Sequence, residues 1–189
     1  MSDHPRCFLL RHGATEWSEN GRHTGSTDLP LLPVGEDQAR AAGALLAGTA
    51  FDLVLCSPLR RARRTAELAG LPAPELEPDL VEWDYGDYER VTTATIRETV
   101  PGWTVWHGAC PGGETAEQVA ARVDRVITRV RAGRGPAVLV AHGHVLRVLC
   151  ARWLGLDPRA GEHFLLDPAT VSILGWERDA PAVERWNAR

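Results

Sequence analysis

Three short apolar runs in this chain each end in side chains able to grip or attack an anion. CFLL (Cys7 to Leu10) runs into Arg11-His12-Gly13, DLVLC (Asp52 to Cys56) into Ser57-Pro58-Leu59-Arg60-Arg61, and AVLV (Ala137 to Val140) into Ala141-His142-Gly143-His144. These residue types suit phosphoryl transfer. A phosphoryl group in flight spreads negative charge over its oxygens, so it needs fixed cations around it and a nucleophile in line. Arginine serves better than lysine because its planar fork binds two oxygens at once. A neutral imidazole can attack phosphorus and later release the group to water. Flanking arginines keep such an imidazole neutral by lowering its pKa. The glycine after each histidine permits close backbone approach to a ligand.

Groups so far apart in sequence meet only if the fold brings the ends of the runs together. Each run reads as a buried strand. Between and after them lie helical stretches: Glu36 to Leu46, Leu59 to Leu68, and Thr115 to Val130, with Val119, Val123, Val126, Ile127 and Val130 on one face. Thr115 is the expected N-cap of the last, with Glu117 just inside. A further helix is expected from Val145 to Leu154, ended by Gly155 and Pro158. The tail alternates and predicts antiparallel strands in HFLLD, VSILGWE and VERW. Strands alternating with helices argue for an α/β domain with a largely parallel sheet, in which the carboxyl ends of the strands share one edge. The segment from Pro72 to Gly113 breaks this rhythm. It is rich in Pro, Trp, Gly and acidic residues, with one helical piece near Thr92 to Thr99, and is expected to be an insertion covering that edge.

Composition narrows the classes. At 189 residues, 44% apolar and 24% charged, the chain (1–189) fits one globular domain. Net charge is −4 with no basic block, which argues against nucleic acid as a partner. No apolar stretch approaches bilayer length, so no membrane association is expected. The polar start lacks the regions of a signal peptide, and a cytoplasmic location follows as the expectation. Cys7, Cys56 and Cys150 read as buried thiols, while Cys110 sits in a Gly/Pro loop and reads as the one open to solvent. There is no C-x-x-C pair.

The stretch FLLRHGATEWSENGRHTGSTDLPLLPVGEDQA (Phe8 to Ala39) resembles the opening of the histidine phosphatase superfamily, in its phosphoglycerate mutase-like branch. The likeness continues in SPLRRARRTAEL (Ser57 to Leu68), LVEWDYGDYE (Leu80 to Glu89), CPGGET (Cys110 to Thr115) and VAHGHVLRVL (Val140 to Leu149), in order and across nearly the whole chain. It implies a three-layer αβα sandwich with a mostly parallel central sheet. It implies His12 as the phosphorylated nucleophile, with Arg11, Arg61 and His142 around the phosphoryl oxygens and Glu82 as general acid. Arg61 rather than Arg60 fills the R-A-x-x-T-A pattern, with Ala62, Thr65 and Ala66. Substrate contacts are expected from Thr15, Ser18, Thr24, Gly25, Arg90, Gly143 and His144. For Thr15, Ser18 and His144, as for His23, hydrogen bonding within the loops is the alternative. Trp17, Trp83, Trp103 and Trp106 are expected in packing and pocket walls.

Three departures from the family pattern stand out. Ser18 replaces a common Asn, Leu32 replaces a helix-capping Thr ahead of Pro33, and Arg90 follows Glu89 where Gly is usual. Arg90 either meets a second anionic group of the substrate or points into solvent.

The stretch Trp17-Ser18 with Gly21 to Gly25 resembles broad-specificity acid phosphatases and sedoheptulose bisphosphatase-like enzymes. Cofactor-dependent mutases carry a pair of arginines after the general acid, and PGWTVWHGACPGGE has none. Net hydrolysis of a small phosphorylated metabolite, without metal or cofactor, is therefore expected. The alternatives are mutase-type transfer, a silent phospho-ligand binding module, and a metal-dependent esterase built on His142-x-His144. The sequence leaves the oligomeric state open, a homodimer included.

Overall fold

The computed structural model describes residues 4–189. Its centre is a six-stranded sheet of β1 (Cys7–Arg11), β2 (Leu53–Cys56), β3 (Glu75–Leu76), β4 (Ala137–Ala141), β5 (Val171–Glu177) and β6 (Ala180–Ala188). Their spatial order is β3-β2-β4-β1-β5-β6. The pairings among β3, β2, β4 and β1 are parallel; β5 joins β1 antiparallel, and β6 joins β5 the same way. The helices are α1 (Glu16–Asn20), α2 (Pro33–Leu46), α3 (Arg60–Leu68), α4 (Thr93–Thr99), α5 (Ala116–Arg131) and α6 (Gly143–Trp153).

Strand alternation sorts the core into two layers. Cys7, Leu9, Ala137, Leu139 and Ala141 face Val119, Val123, Val126 and Val130 of α5, together with Leu146 and Leu149 of α6. Phe8, Leu10, Val138 and Val140 face the other way, onto Ala42 and Leu46 of α2 and Ala62 and Ala66 of α3. The result is the expected αβα sandwich. Burying each such leucine contributes about 1.5–3 kcal/mol relative to exposure.

Helix ends follow their local chemistry. Thr115 caps α5 in a capping box whose second member is Gln118. Leu32 gives α2 no side-chain cap, and Pro33 occupies its first turn.

Three local expectations are corrected. HFLLD is not a strand, because its backbone groups are spent elsewhere. His163 closes a 3₁₀ turn that begins at Pro158; Leu166 O accepts from the Arg11 side chain, and Asp167 N donates to Asn187 Oδ1 at 2.8 Å. Leu165 is left 72% exposed. The segment 72–113 is not wholly irregular, since Glu75 and Leu76 pair with Leu55 and Cys56 at the sheet edge. Cys110 is buried like the other three cysteines, and desolvation pushes its thiol up to about 11.

Candidate active site

Arg11, Cys56 and Ala141 end adjacent parallel strands, so the residues that follow them emerge side by side. His12 N donates to Ala141 O and Ser57 N to Val140 O, both at 2.9 Å, which extends the ladder to the first residue past each strand. The His12 and His142 rings consequently stand 5.1 Å apart.

The His12 ring is oriented by its own neighbour. Nδ1 lies 2.7 Å from Gly13 O, and a carbonyl can only accept, so the neutral ring carries its proton on Nδ1. That leaves the Nε2 lone pair unused. Burial, then Arg61 and Arg11, holds this imidazole well below the ordinary histidine value. Gly13 is needed for packing: a Cβ there would lie 2.2 Å from Gly35 O. Its amide donates to Thr65 Oγ1 at 3.1 Å, and Thr65 donates in turn to Arg61 O, one turn earlier on α3.

Arg61 is fully buried and spends four of its five N–H groups. Nε donates to His142 Nδ1 at 3.0 Å; the others go to the carbonyls of Thr27, Thr24 and Gly25. His142 therefore carries its proton on Nε2, which donates to Ser57 Oγ at 2.7 Å. Burial and Arg61 keep His142 neutral too. Arg11 differs. Its Nη1 donates to Leu166 O, while its buried Nε has no partner among the described residues. An unpartnered guanidinium N–H beside a neutral imidazole is what an anionic ligand would complete.

Glu82, 7% exposed, stands at the start of α6. Its Oε1 accepts from Trp83 N and Val145 N at 2.9 Å, and its Oε2 from His144 N at 3.0 Å. It shares with Arg11 and His12 a pocket of about 400 Å³. His144 also faces this pocket, with Nδ1 2.7 Å from the Tyr85 hydroxyl. Burial, then Arg147, keeps His144 neutral.

Of the expected substrate contacts, Thr15, Ser18, Thr24, Gly143 and His144 line the pocket. Thr15 and Ser18 are also partners in the capping box of α1. His23 lines the pocket with Nε2 3.2 Å from Thr93 Oγ1. Gly25 and Arg90 do not line it. Gly25 gives its amide to Glu89 and its carbonyl to Arg61, and Arg90 adopts positive φ and lies over the outer Trp17 ring at 5.8 Å. Trp17 and Trp106 are pocket walls, whereas Trp83 and Trp103 belong to the core.

Among the lining residues that the sequence did not reveal are Tyr85, Arg22, Arg97 and Arg147. Arg147 was within reach, since it lies four residues after Gly143 on one helix face. Arg97 gave no signal, because only the fold turns α4 toward the site. The rings of His142 and His144 are committed to different partners, and among the described residues no group of three or more His, Cys, Asp or Glu could hold a metal ion.

Comparison with known proteins gives the family and fold. The sequence model of the histidine phosphatase superfamily (branch 1) matches residues 7–189. An acid phosphatase of Mycobacterium tuberculosis is 43% identical over 176 residues, 91% of this chain and 87% of that protein. The sedoheptulose 1,7-bisphosphatase of Saccharomyces cerevisiae is 37% identical over 185 residues, 80% of this chain and 68% of that one. A solved structure of a Mycobacterium tuberculosis open reading frame product superposes with a TM-score of 0.92 at 41% identity, covering 97% of each chain.

Proposed function

The chain belongs to the histidine phosphatase superfamily, and on that footing we propose that it hydrolyses monoesters of small phosphorylated metabolites through a phosphohistidine on His12. The observation that carries this reading is the His12 ring. A neutral imidazole, locked by Gly13 O with its free lone pair on Nε2, lines a pocket beside an arginine whose buried Nε lacks a partner among the described residues.

In the first step Nε2 attacks phosphorus and the P–O bond to the alcohol breaks. The departing oxygen takes a proton from Glu82. Arg11 and the remaining N–H of Arg61 balance the charge on the equatorial oxygens, and His142 supplies a further donor once Nε2–H turns from Ser57. In the second step water loses a proton to Glu82 and attacks phosphorus. The P–N bond breaks, and phosphate and neutral His12 are regenerated. No metal is required for either step.

The outer pocket supports a substrate with a second anionic group. Arg22, Arg97 and Arg147 line it, and among the described residues Glu82 is the sole lining carboxylate. Four buried free thiols support a reducing compartment, in keeping with the cytoplasm. Among the described residues no helix is long and apolar enough to cross a membrane.

The test is to trap the intermediate. Brief mixing with substrate and an alkaline quench should leave an acid-labile, base-stable phosphoryl group on His12. His12→Ala should lose both adduct and turnover, and turnover of the parent enzyme should survive exhaustive chelation. Label on another residue, or rescue only by a divalent cation, would refute the mechanism.

A further inference from the structure

The CPGGET stretch and the charged face of α5 play no part in the chemistry above, yet they meet directly beneath its acid. Arg122 of α5 is 7% exposed and lies outside the pocket. Every one of its N–H groups is used. Nε and Nη2 bind Glu114 as a fork, to Oε1 at 2.9 Å and Oε2 at 3.1 Å. Nη1 donates to Asp79 O and Val81 O, each at 2.7 Å, and Nη2 also donates to Glu82 O at 3.2 Å. Glu114 then grips the far side of the same segment. Its Oε2 accepts from Asp84 N and its carbonyl from Trp83 Nε1, while its amide donates to Asp84 O, all at 2.9 Å.

We propose that the Arg122–Glu114 pair is a positioning device for the general acid, fixing the backbone of residues 79–84 so that the Glu82 carboxyl is aimed at the leaving oxygen. The backbone needs this help because it is irregular here. Asp79 sits in a single 3₁₀ turn (Pro78–Leu80) and from Val81 to Tyr85 there is no helix or strand ladder, so the carbonyls at 79, 81 and 82 find their partners in a side chain. A guanidinium fork satisfies three of them from one rigid plane, and its charge is compensated by Glu114 instead of by Glu82. Glu82 thus keeps both carboxyl oxygens for α6 and the pocket. Aim matters at this level, since a displacement of about 1 Å remote from the chemistry can cost 10²-fold in rate. Lysine at position 122 keeps the charge but not the fork. Glutamine at 114 keeps the size but weakens the pair.

This inference rests on Glu82 being the acid, so the experiment reads both. An alkyl alcohol needs its proton and a nitrophenolate does not. For Arg122→Lys and Glu114→Gln, kcat/KM is measured for glycerol 3-phosphate and for p-nitrophenyl phosphate, with Glu82→Gln alongside. Expected is a loss of roughly 10–100-fold for the alkyl ester and under about threefold for the aryl ester. In the double variant Arg122→Lys/Glu82→Gln, the alkyl loss should not exceed that of Glu82→Gln alone. Should Arg122→Lys fail to fold, Glu114→Gln carries the same ratio. Equal losses on both esters in the folded variants, with Glu82→Gln selective for the alkyl ester, overturn the positioning role alone. Equal losses in Glu82→Gln itself remove Glu82 as the acid and the inference with it.

Discussion

His12, His142 and His144 are neutral for one dominant reason, burial, reinforced in each case by nearby arginines. The thermodynamic sign follows. Unfolded, each imidazole gains a proton below its ordinary value of 6.5; folded, each resists until far lower pH. The unfolded chain therefore binds more protons in that window, so stability is complete above about pH 6.5 and falls as pH drops below it. Denaturant unfolding at pH 7.5, 6.5 and 5.5 should show the loss setting in under pH 6.5. Its slope is bounded at about 1.4 kcal/mol per pH unit for each imidazole held neutral. His142→Asn should make the slope shallower, and stability that stays flat to pH 5.5 contradicts the assignment. At this scale the sequence was most legible at the strand ends, where His12 and His142 were expected to converge and their rings stand 5.1 Å apart; Glu82 was legible only through the family resemblance. Gly25 and Arg90 were misplaced because what removes them from the pocket is backbone bonding to Glu89 and Arg61 and a stacking contact with Trp17, none of which residue type reveals.

Two helix starts differ in a way that mutation should expose. The start of α5 has its full capping box, and that of α2 has none. Thr115→Ala should cost about 1 kcal/mol, within the usual range for a lost cap. Leu32→Thr should recover up to about 1 kcal/mol by giving α2 its missing acceptor. Chemical denaturation reads both, and a stabilised Thr115→Ala or a destabilised Leu32→Thr counts against the capping account. Periodicity told most of the elements. The runs at β1, β2 and β4 and the valine face of α5 declare themselves because one residue set must fill a two-sided core. HFLLD looked like a strand because Phe164, Leu165 and Leu166 are apolar, but apolar character does not supply a ladder. Its neighbours Arg11, Asn187 and Thr170 take its backbone groups first. The pairing of β3 was illegible for a related reason, since two exposed residues carry no pattern of their own.

Taken whole, the molecule is mildly acidic, yet its pocket holds Arg11, Arg22, Arg97 and Arg147 against one carboxylate among the described residues. Charge of one sign gathered in a concavity draws oppositely charged ligands, and salt screens that pull over about 10 Å at 0.1 M. Between roughly 50 and 500 mM sodium chloride, kcat/KM for a doubly anionic ester should fall several-fold while kcat changes little. Arg97→Ala should reduce the salt dependence, and a salt-independent kcat/KM would leave the rim arginines without a role in capture. The convergence of distant motifs was predictable from the parallel sheet; which arginines ring the mouth depended on how the 72–113 segment folds over it. The strand order also governs when this chain first becomes an enzyme during its synthesis. β1 and β2 leave the ribosome early, but the strand that belongs between them is β4. Until β4 emerges, β1 has no correct neighbour to join and β2 has only the two-residue β3, and pairing of β1 with β2 would close the slot that β4 must enter. His12 and Arg61 therefore wait, unassembled, for His142, so on the proposed mechanism a nascent chain lacks its site until β4 has joined the sheet.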